Sequence, residues 1–140
     1  MTSYVVLDAS FVYKSLAPGS QRDKCRQLIH QWKQEKQTLC SPTIWVYEFT
    51  SLLTKLVYWG ELSEQDAQES LAFGLDLGVE LIVPTEDQVR QAFLWTRQLN
   101  RVAAYDSFYV ALAESLGCEL WTADTKLANA VDRPWVKVVV

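Results

Sequence analysis

Short apolar runs alternate with longer amphipathic segments along the whole chain, and this alternation most constrains the fold. Residues 4–7 form a continuous apolar run, typical of a strand buried on both faces of a parallel sheet. Further strands are predicted at residues 79–83, 118–122 and 135–140, the last as an edge or near-edge strand. Strands that alternate with helices predict an α/β fold, a three-layer α/β/α sandwich with a central, mainly parallel sheet.

Helical spacing and capping signals place helices between these strands. Residues 21–36 carry apolar side chains at helical spacing among charged ones. Ser41 and Pro42 suit the cap and first position of a second long helix over residues 42–58. The other helices are predicted at residues 63–77, 85–99, 105–116 and 124–131, and capping-box spacing begins the first two at Ser63 and Thr85.

The composition indicates one globular domain over residues 1–140. The chain has 140 residues, of which 49% are hydrophobic, and a domain of this size needs no disulfide to be stable. Cys25, Cys40 and Cys118 are odd in number and far apart, which fits a reducing compartment. Because no basic leader or membrane-length apolar run occurs, we expect a cytoplasmic protein.

Several kinds of chemistry are excluded by residue counts. His30 is the only histidine, so a Cys/His zinc site or a Ser-His-Asp mechanism has too few residues to build on. The formal net charge of −4 argues against attraction of the whole surface to nucleic acid. A local basic groove or a bound divalent cation remains compatible with that charge.

Four of the seventeen acidic residues interrupt or end apolar segments, and they are Asp8, Glu48, Asp106 and Asp124. Asp8 and Asp124 follow strands, beyond the carboxyl ends where ligands of parallel sheets bind. Asp106 opens a helix, and Glu48 lies about two turns into one. We expect all four to converge. Hard oxygen ligands without His or Cys suit Mg²⁺ or Mn²⁺, and without a cation the carboxylates repel one another.

A structural role competes with the functional one for each acid. Asp8, Asp106 and Asp124 each suit a helix N-cap when taken singly. Glu48 needs a partner because it lies in mid-helix among aromatic and aliphatic neighbours, and a buried ion pair with Arg or Lys is the alternative to a site. Taken together, the four acids favour a functional site.

The segments around these acids resemble PIN-domain ribonucleases, most closely the VapC-like toxins of toxin–antitoxin pairs. The resemblance covers nearly the whole chain and rests on VLDAS at residues 6–10, Glu48, YDSFYVALA at residues 105–113 and LWTAD at residues 120–124. It implies a PIN-like fold and a metal-dependent endoribonuclease that hydrolyses RNA phosphodiester bonds. The roles that it implies for individual residues are catalysis and Mg²⁺ or Mn²⁺ binding by Asp8, Glu48, Asp106 and Asp124, with Ser10 and Thr122 as the accompanying hydroxyls.

Some details stay open beside the resemblance. Ser10 and Thr122 have an alternative role in capping or turning the backbone. Residues 107–109, Ser-Phe-Tyr, are unusually aromatic for the family, which we expect to alter substrate contacts without removing a ligand. RNA contact is expected to depend on local bases, with Lys14, Arg22, Lys24, Arg97, Arg101 and Lys126 as candidates. Trp32, Trp45 and Trp95 are interpreted as core or interface residues.

The resemblance implies an RNA substrate and an antitoxin protein as partners. A homodimer is predicted because the helix over residues 42–58 carries more apolar surface than one contact face requires. The alternative function is a catalytically idle PIN-type module that binds RNA or protein. A phosphotransferase of the haloacid-dehalogenase type lacks its second acid because Ser10 stands there, and a receiver-like signalling domain leaves Glu48 unexplained.

Overall fold

The computed structural model describes residues 3–140, so the first two residues of the predicted domain lie outside the described part. The described residues form strands and helices in regular alternation. In chain order they are β1 (Tyr4–Leu7), α1 (Ala9–Lys14), α2 (Ser20–Gln34), β2 (Thr38–Pro42), α3 (Ile44–Tyr58), α4 (Glu64–Asp76), β3 (Glu80–Ile82), α5 (Glu86–Gln98), α6 (Tyr105–Leu116), β4 (Glu119–Thr122), α7 (Thr125–Val131) and β5 (Val136–Val138).

The five strands form one parallel sheet in the order β3-β2-β1-β4-β5. Val5, Val6 and Leu7 of the central strand β1 are all buried. Successive side chains of a strand point to opposite faces, so both faces of β1 are covered. The predicted α/β sandwich is confirmed, and β5 lies at an edge of the sheet as predicted.

The predicted start of the second long helix is wrong, because residues Thr38–Pro42 form strand β2 and α3 begins at Ile44. Ser41 does not cap a helix. Its hydroxyl donates a hydrogen bond to the backbone carbonyl of Leu7 and so ties β2 to β1. A Ser-Pro pair suits either a helix start or a strand end, and pairing with β1 and β3 decided between them.

The remaining predicted helices and strands occur within two residues of their expected ends. Ser63 caps α4, and Thr85 with Gln88 forms a complete capping box at α5. The short helix α1 lies outside the predicted elements. Its start is explained by Asp8, whose side chain accepts a hydrogen bond from the backbone N–H of Phe11.

One hydrophobic core joins the sheet to the helices, and Trp32, Trp45 and Trp95 are buried in it as predicted. The three cysteines are free thiols. Among the described residues, no helix is long and apolar enough to cross a membrane.

Gly74→Ala is expected to lower the free energy of unfolding by roughly 1–2 kcal/mol. A Cβ at Gly74, which is buried in α4, would overlap the ring of Phe49. Phe49 stacks on Trp45 with ring centroids 5.1 Å apart, so it cannot move without disturbing the core. Overpacking costs about 1–3 kcal/mol, here about 2–3 kcal/mol because the ring cannot move away, against a gain of about 1 kcal/mol for Ala over Gly in a helix. Urea denaturation measures the change.

Gln68→Ala is the matched control because Gln68 is exposed on the same helix. Its effect on the free energy of unfolding is expected to stay within about 0.5 kcal/mol. A Gly74→Ala variant as stable as the wild type would contradict the tight packing of α4 on Phe49.

Candidate active site

The candidate site lies where the order of the strands reverses. From β1 the chain continues to β2 and β3 on one side, whereas β4 and β5 lie on the other side of β1. Open parallel sheets bind ligands beyond the carboxyl ends of their strands at such a switch point. Asp8 directly follows β1, and Asp124 comes two residues after β4. The topology therefore brings these two acids to the same edge.

A cavity of about 670 Å³ opens at this edge, and all four candidate acids line it: Asp8, Glu48, Asp106 and Asp124. A long wall of the cavity is formed by α3 and the residue after it, and it carries Ile44, Tyr47, Ser51, Leu52, Lys55, Leu56 and Trp59. Tyr105 lines the cavity from the start of α6. The structure thus combines an acidic region with a mostly apolar wall in one cavity.

Asp8 is buried, with 7% of its surface exposed. Its Oδ1 accepts hydrogen bonds from the backbone N–H of Phe11 at 2.9 Å and from the hydroxyl of Ser10 at 2.7 Å. Burial raises the pKa of Asp8 to about 6, and the charge of Asp106 adds to the rise, while the hydrogen bonds oppose it. Asp8 is therefore both the predicted N-cap, here of α1, and a carboxyl group of the cavity.

Ser10 and Thr122 join the ends of β1 and β4. The hydroxyl of Ser10 donates to Asp8, accepts from the backbone N–H of Ala123 at 3.0 Å, and lies 3.2 Å from the hydroxyl of Thr122. Thr122 Oγ1 accepts from the backbone N–H of Asp124 at 2.9 Å. Both hydroxyls turn the backbone at the carboxyl edge, and that of Ser10 also binds an acid of the cavity.

Asp124 and Asp106 approach the cavity from the starts of two helices, but only Asp124 is a cap. Its carboxylate accepts from the backbone N–H of Leu127 at 3.1 Å at the start of α7. The N-cap alternative is wrong for Asp106, because Ala104 takes that position and Asp106 lies in the first turn of α6. Its Oδ2 instead pairs with Nη1 of Arg101 at 2.8 Å. Burial raises the pKa of Asp106, and the Arg101 charge opposes this.

Glu48 lies just past the first turn of α3, since that helix begins two residues later than predicted. Burial raises the pKa of its carboxyl group, and the charges of Asp106 and Asp8 add to the rise. Within residues 3–140, Glu48 forms no salt bridge. The hydroxyl of Tyr109 and the charge of Lys55 both lower its pKa. Because Glu48 forms no salt bridge with any described residue, the alternative of a buried ion pair is not realised.

The donor set fits a hard divalent cation by its chemistry. The cavity is lined by four carboxylates and by no histidine or cysteine, and such oxygen donors suit Mg²⁺ or Mn²⁺. Burial disfavours the charged forms of Asp8, Glu48 and Asp106, a penalty that a nearby cation relieves. Across residues 3–140, no three acidic, histidine or cysteine side chains form a metal-ligating group. The residues present therefore match the cation in the chemistry of their donor atoms, but they do not form a complete set of ligands.

Two positive side chains border the acids. Arg101, one of the predicted bases, contacts Asp106, whereas none of the six predicted bases lines the cavity itself. Lys55 lines it and is missing from the sequence prediction. Its spacing of seven residues from Glu48, which places both on one face of a helix, is the signal that identifies it. Lys24 instead donates to the backbone carbonyl of Val140 at 2.6 Å.

Comparison with known proteins identifies relatives of this chain by sequence and by fold. A family model for the PIN domain matches residues 5–132. Ribonuclease VapC9 of Mycobacterium tuberculosis is 33% identical to this chain over 127 residues, covering 89% of each protein. The structure of PAE2754 from Pyrobaculum aerophilum matches with a TM-score of 0.70 at 20% identity, covering 99% of this chain and 90% of the other. A chain in a toxin–antitoxin complex from Klebsiella pneumoniae matches with a TM-score of 0.63 at 15% identity, covering 96% of both.

Asp8→Asn is expected to stabilise the metal-free protein at about pH 7.5 by about 1–3 kcal/mol, because it removes a buried charge while Asn keeps the N-cap acceptor. The pKa of Asp8 is about 6 in the folded protein against an ordinary value of 3.8. As pH rises, the unfolded chain loses this proton first, so the wild type loses stability between about pH 4 and pH 6. Urea denaturation of both proteins in EDTA at about pH 4 and pH 7.5 measures the difference.

Asp124→Asn is the matched control, because Asp124 caps a helix in the same way but is only half-buried. It is expected to change stability less than Asp8→Asn at neutral pH. If Asp8→Asn has no higher free energy of unfolding than the wild type at about pH 7.5, the buried Asp8 charge does not destabilise the folded protein, which contradicts this prediction.

Proposed function

Because the chain belongs to the PIN-domain family of VapC ribonucleases, we propose that it is an endoribonuclease that hydrolyses RNA phosphodiester bonds as the toxin of a toxin–antitoxin pair. The observation that carries the proposal is the single cavity lined by Asp8, Glu48, Asp106 and Asp124 at the switch point of the sheet. These are the positions that the family resemblance assigns to catalysis.

In this proposal the four carboxylates hold Mg²⁺ or Mn²⁺. When bound, such a cation supplies an activated water and stabilises negative charge at the scissile phosphate. Ser10 and the backbone N–H of Phe11 hold the Asp8 carboxylate in one orientation. Arg101 offsets the charge of Asp106. Lys55 places a positive charge in the cavity, where it can contact an RNA phosphate.

The wall of the cavity supports an unpaired RNA segment as substrate. Tyr47, Trp59 and Tyr105 line the cavity and are 73%, 62% and 57% exposed. Exposed aromatic rings stack on unpaired bases, whereas a paired helix hides the base faces. We therefore assign these rings to base contacts beside the acids.

An antitoxin is the protein partner that this proposal implies. The mostly apolar wall and the acidic region suit a segment that combines apolar side chains with a basic one. The toxin–antitoxin complex from Klebsiella pneumoniae, which shares the fold, is consistent with such a pairing. A small reading frame next to the gene is the expected genomic mark.

The alternative function is a catalytically idle PIN-type module that binds RNA or protein. The pairing of Asp106 with Arg101 favours it, because this pair neutralises a carboxylate that catalysis requires. Within residues 3–140, no three acidic, histidine or cysteine side chains lie close enough together to hold a metal ion. Cleavage and metal binding by the purified protein separate the two functions.

Wild-type protein is expected to cleave members of a panel of single-stranded and structured RNAs when Mg²⁺ or Mn²⁺ is present. Asp8→Asn, Glu48→Gln and Asp106→Asn are each expected to lower the cleavage rate by about 100-fold or more, since losing a metal ligand removes several kcal/mol of transition-state stabilisation. Rates are measured on labelled RNA in gels, and Mn²⁺ binding is measured by calorimetry.

Glu80→Gln is the control for these variants, because Glu80 is exposed at the start of β3, the opposite end of the strands from the cavity. It is expected to cleave like the wild type. A wild type that neither cleaves RNA nor binds Mn²⁺ would support the idle module instead.

We also propose that the protein forms a homodimer through α3 and α4. Beyond the core residues of α3, Tyr58 is 84% exposed, and Phe73 of α4 is 64% exposed. Large exposed apolar side chains on two packed helices suit an interface between two copies.

Sedimentation equilibrium is expected to give twice the monomer mass of 16.0 kDa. Phe73→Glu is expected to shift the protein to the monomer, because the dimer interface would bury the new charge. Phe93→Glu on α5 is the control, since Phe93 is equally exposed at 63%. A wild type that stays monomeric at high concentration contradicts the dimer, and dissociation by Phe93→Glu alone would place the interface on α5.

A further inference from the structure

Tyr109 is buried beneath the acids with 1% of its surface exposed. It lies three residues after Asp106 on α6, so both side chains are on one face of that helix. Its hydroxyl makes no hydrogen bond of normal geometry with any described residue. Leaving a buried hydroxyl unpaired costs about 1–3 kcal/mol, and nearly all such groups in native proteins are paired. The position therefore calls for an explanation other than packing.

The surroundings of the hydroxyl identify its partner. Glu48, Asp8 and Asp106 surround the hydroxyl, and a phenol carries its proton at neutral pH. Its neighbours are carboxylates, which accept hydrogen bonds and have none to donate when ionised. Of these carboxylates, Glu48 is the one whose side chain contacts the Tyr109 hydroxyl.

Glu48 also differs from the other acids in how it is held. Asp8 and Asp124 accept backbone N–H groups as helix caps, and Asp106 is paired with Arg101. Within residues 3–140, no hydrogen bond of normal geometry holds the Glu48 carboxylate. A glutamate side chain has three rotatable bonds, so without a hydrogen-bond partner its carboxylate is free to turn. A carboxylate that must bind a cation in one orientation therefore needs a second residue to hold it.

We propose that Tyr109 is the positioning residue for Glu48: its hydroxyl donates to one carboxylate oxygen and leaves the other oxygen for the divalent cation. The inference rests on the proposed function, since it gives Glu48 the role of a metal ligand. A residue needed only for packing would be better as Phe, which fills the same space without burying a hydroxyl. Hydrogen bonds of this kind are often long before the ligand binds and shorten in the loaded site.

Tyr109→Phe tests the inference because the positioning role and a packing role predict opposite results. In metal-free protein the variant is expected to be as stable as the wild type or more stable, since it loses an unpaired buried hydroxyl. Its affinity for Mn²⁺ is expected to fall about tenfold or more, the usual effect of removing an outer partner of a metal ligand. Urea denaturation gives the first quantity, and calorimetric titration with Mn²⁺ alone gives the second.

Tyr4→Phe is the matched control, because Tyr4 begins the central strand β1 at the end opposite to Asp8, which directly follows that strand. This variant is expected to bind Mn²⁺ as the wild type does. Cleavage of the best RNA substrate at saturating Mn²⁺ is expected to recover part of the activity that Tyr109→Phe loses at low Mn²⁺. That recovery follows from weaker metal binding and does not follow from a disturbed core.

The outcomes separate the inference from the function on which it rests. A wild type that binds Mn²⁺ and a Tyr109→Phe variant that binds it equally well overturn the positioning role alone. A variant that loses affinity only together with stability assigns Tyr109 to packing and also overturns the inference. A wild type that binds no Mn²⁺ overturns the proposed metal-dependent activity and the inference with it.

Discussion

Parallel pairing of β1 with β2 on one side and β4 on the other sets the geometry of both the sheet and the candidate site. It aligns the carboxyl ends of the strands, so Asp8 and Thr122 come to the same edge. It also buries both faces of β1, which requires helices above and below the sheet. The chain must then leave the edge in helices, and Asp8 and Asp124 cap the first turns of two of them.

The same geometry brings several carboxylates together in a buried region, where the loss of hydration disfavours their charged forms. Burial raises the pKa of Asp8, Glu48 and Asp106, and the acids raise one another's further. A chain selected only for stability has no reason to place these carboxylates together, since buried charges without partners destabilise the folded state. Functional sites are where proteins commonly carry such a penalty. The divalent cation that we propose would relieve this penalty, which links the electrostatics of the apoprotein to the proposed activity.

The four acids are held by different means, and this divides the site into two halves. Asp8 and Asp124 are fixed by backbone N–H groups that belong to the helices which they start. Asp106 depends on an arginine from the preceding loop, and Glu48 depends on the buried hydroxyl of Tyr109. The first half is set by secondary structure, whereas the second half depends on contacts between elements. Variation in the second half therefore changes the site without changing the fold.

Most of the architecture is predictable from the sequence, because the signals for helices and strands are local. The apolar run before Asp8, the helical spacing and the capping pair at Thr85 each act within a few residues, and the structure has the corresponding elements. The four acids were recognisable for the same reason, since a carboxylate in an apolar segment conflicts with its neighbours in the chain.

The remaining features depend on contacts between elements that are distant in the chain. Strand β2 depends on pairing with β1 and β3, so the local sequence predicts a helix start at the Ser-Pro pair instead of a strand end. The pairing of Arg101 with Asp106, the place of Lys55 in the cavity and the burial of Tyr109 against Glu48 involve partners whose relative positions depend on packing. Local sequence specifies which chemical groups are present and the elements that carry them. Long-range packing determines which groups meet, because that depends on the distances between elements and not on spacing within one.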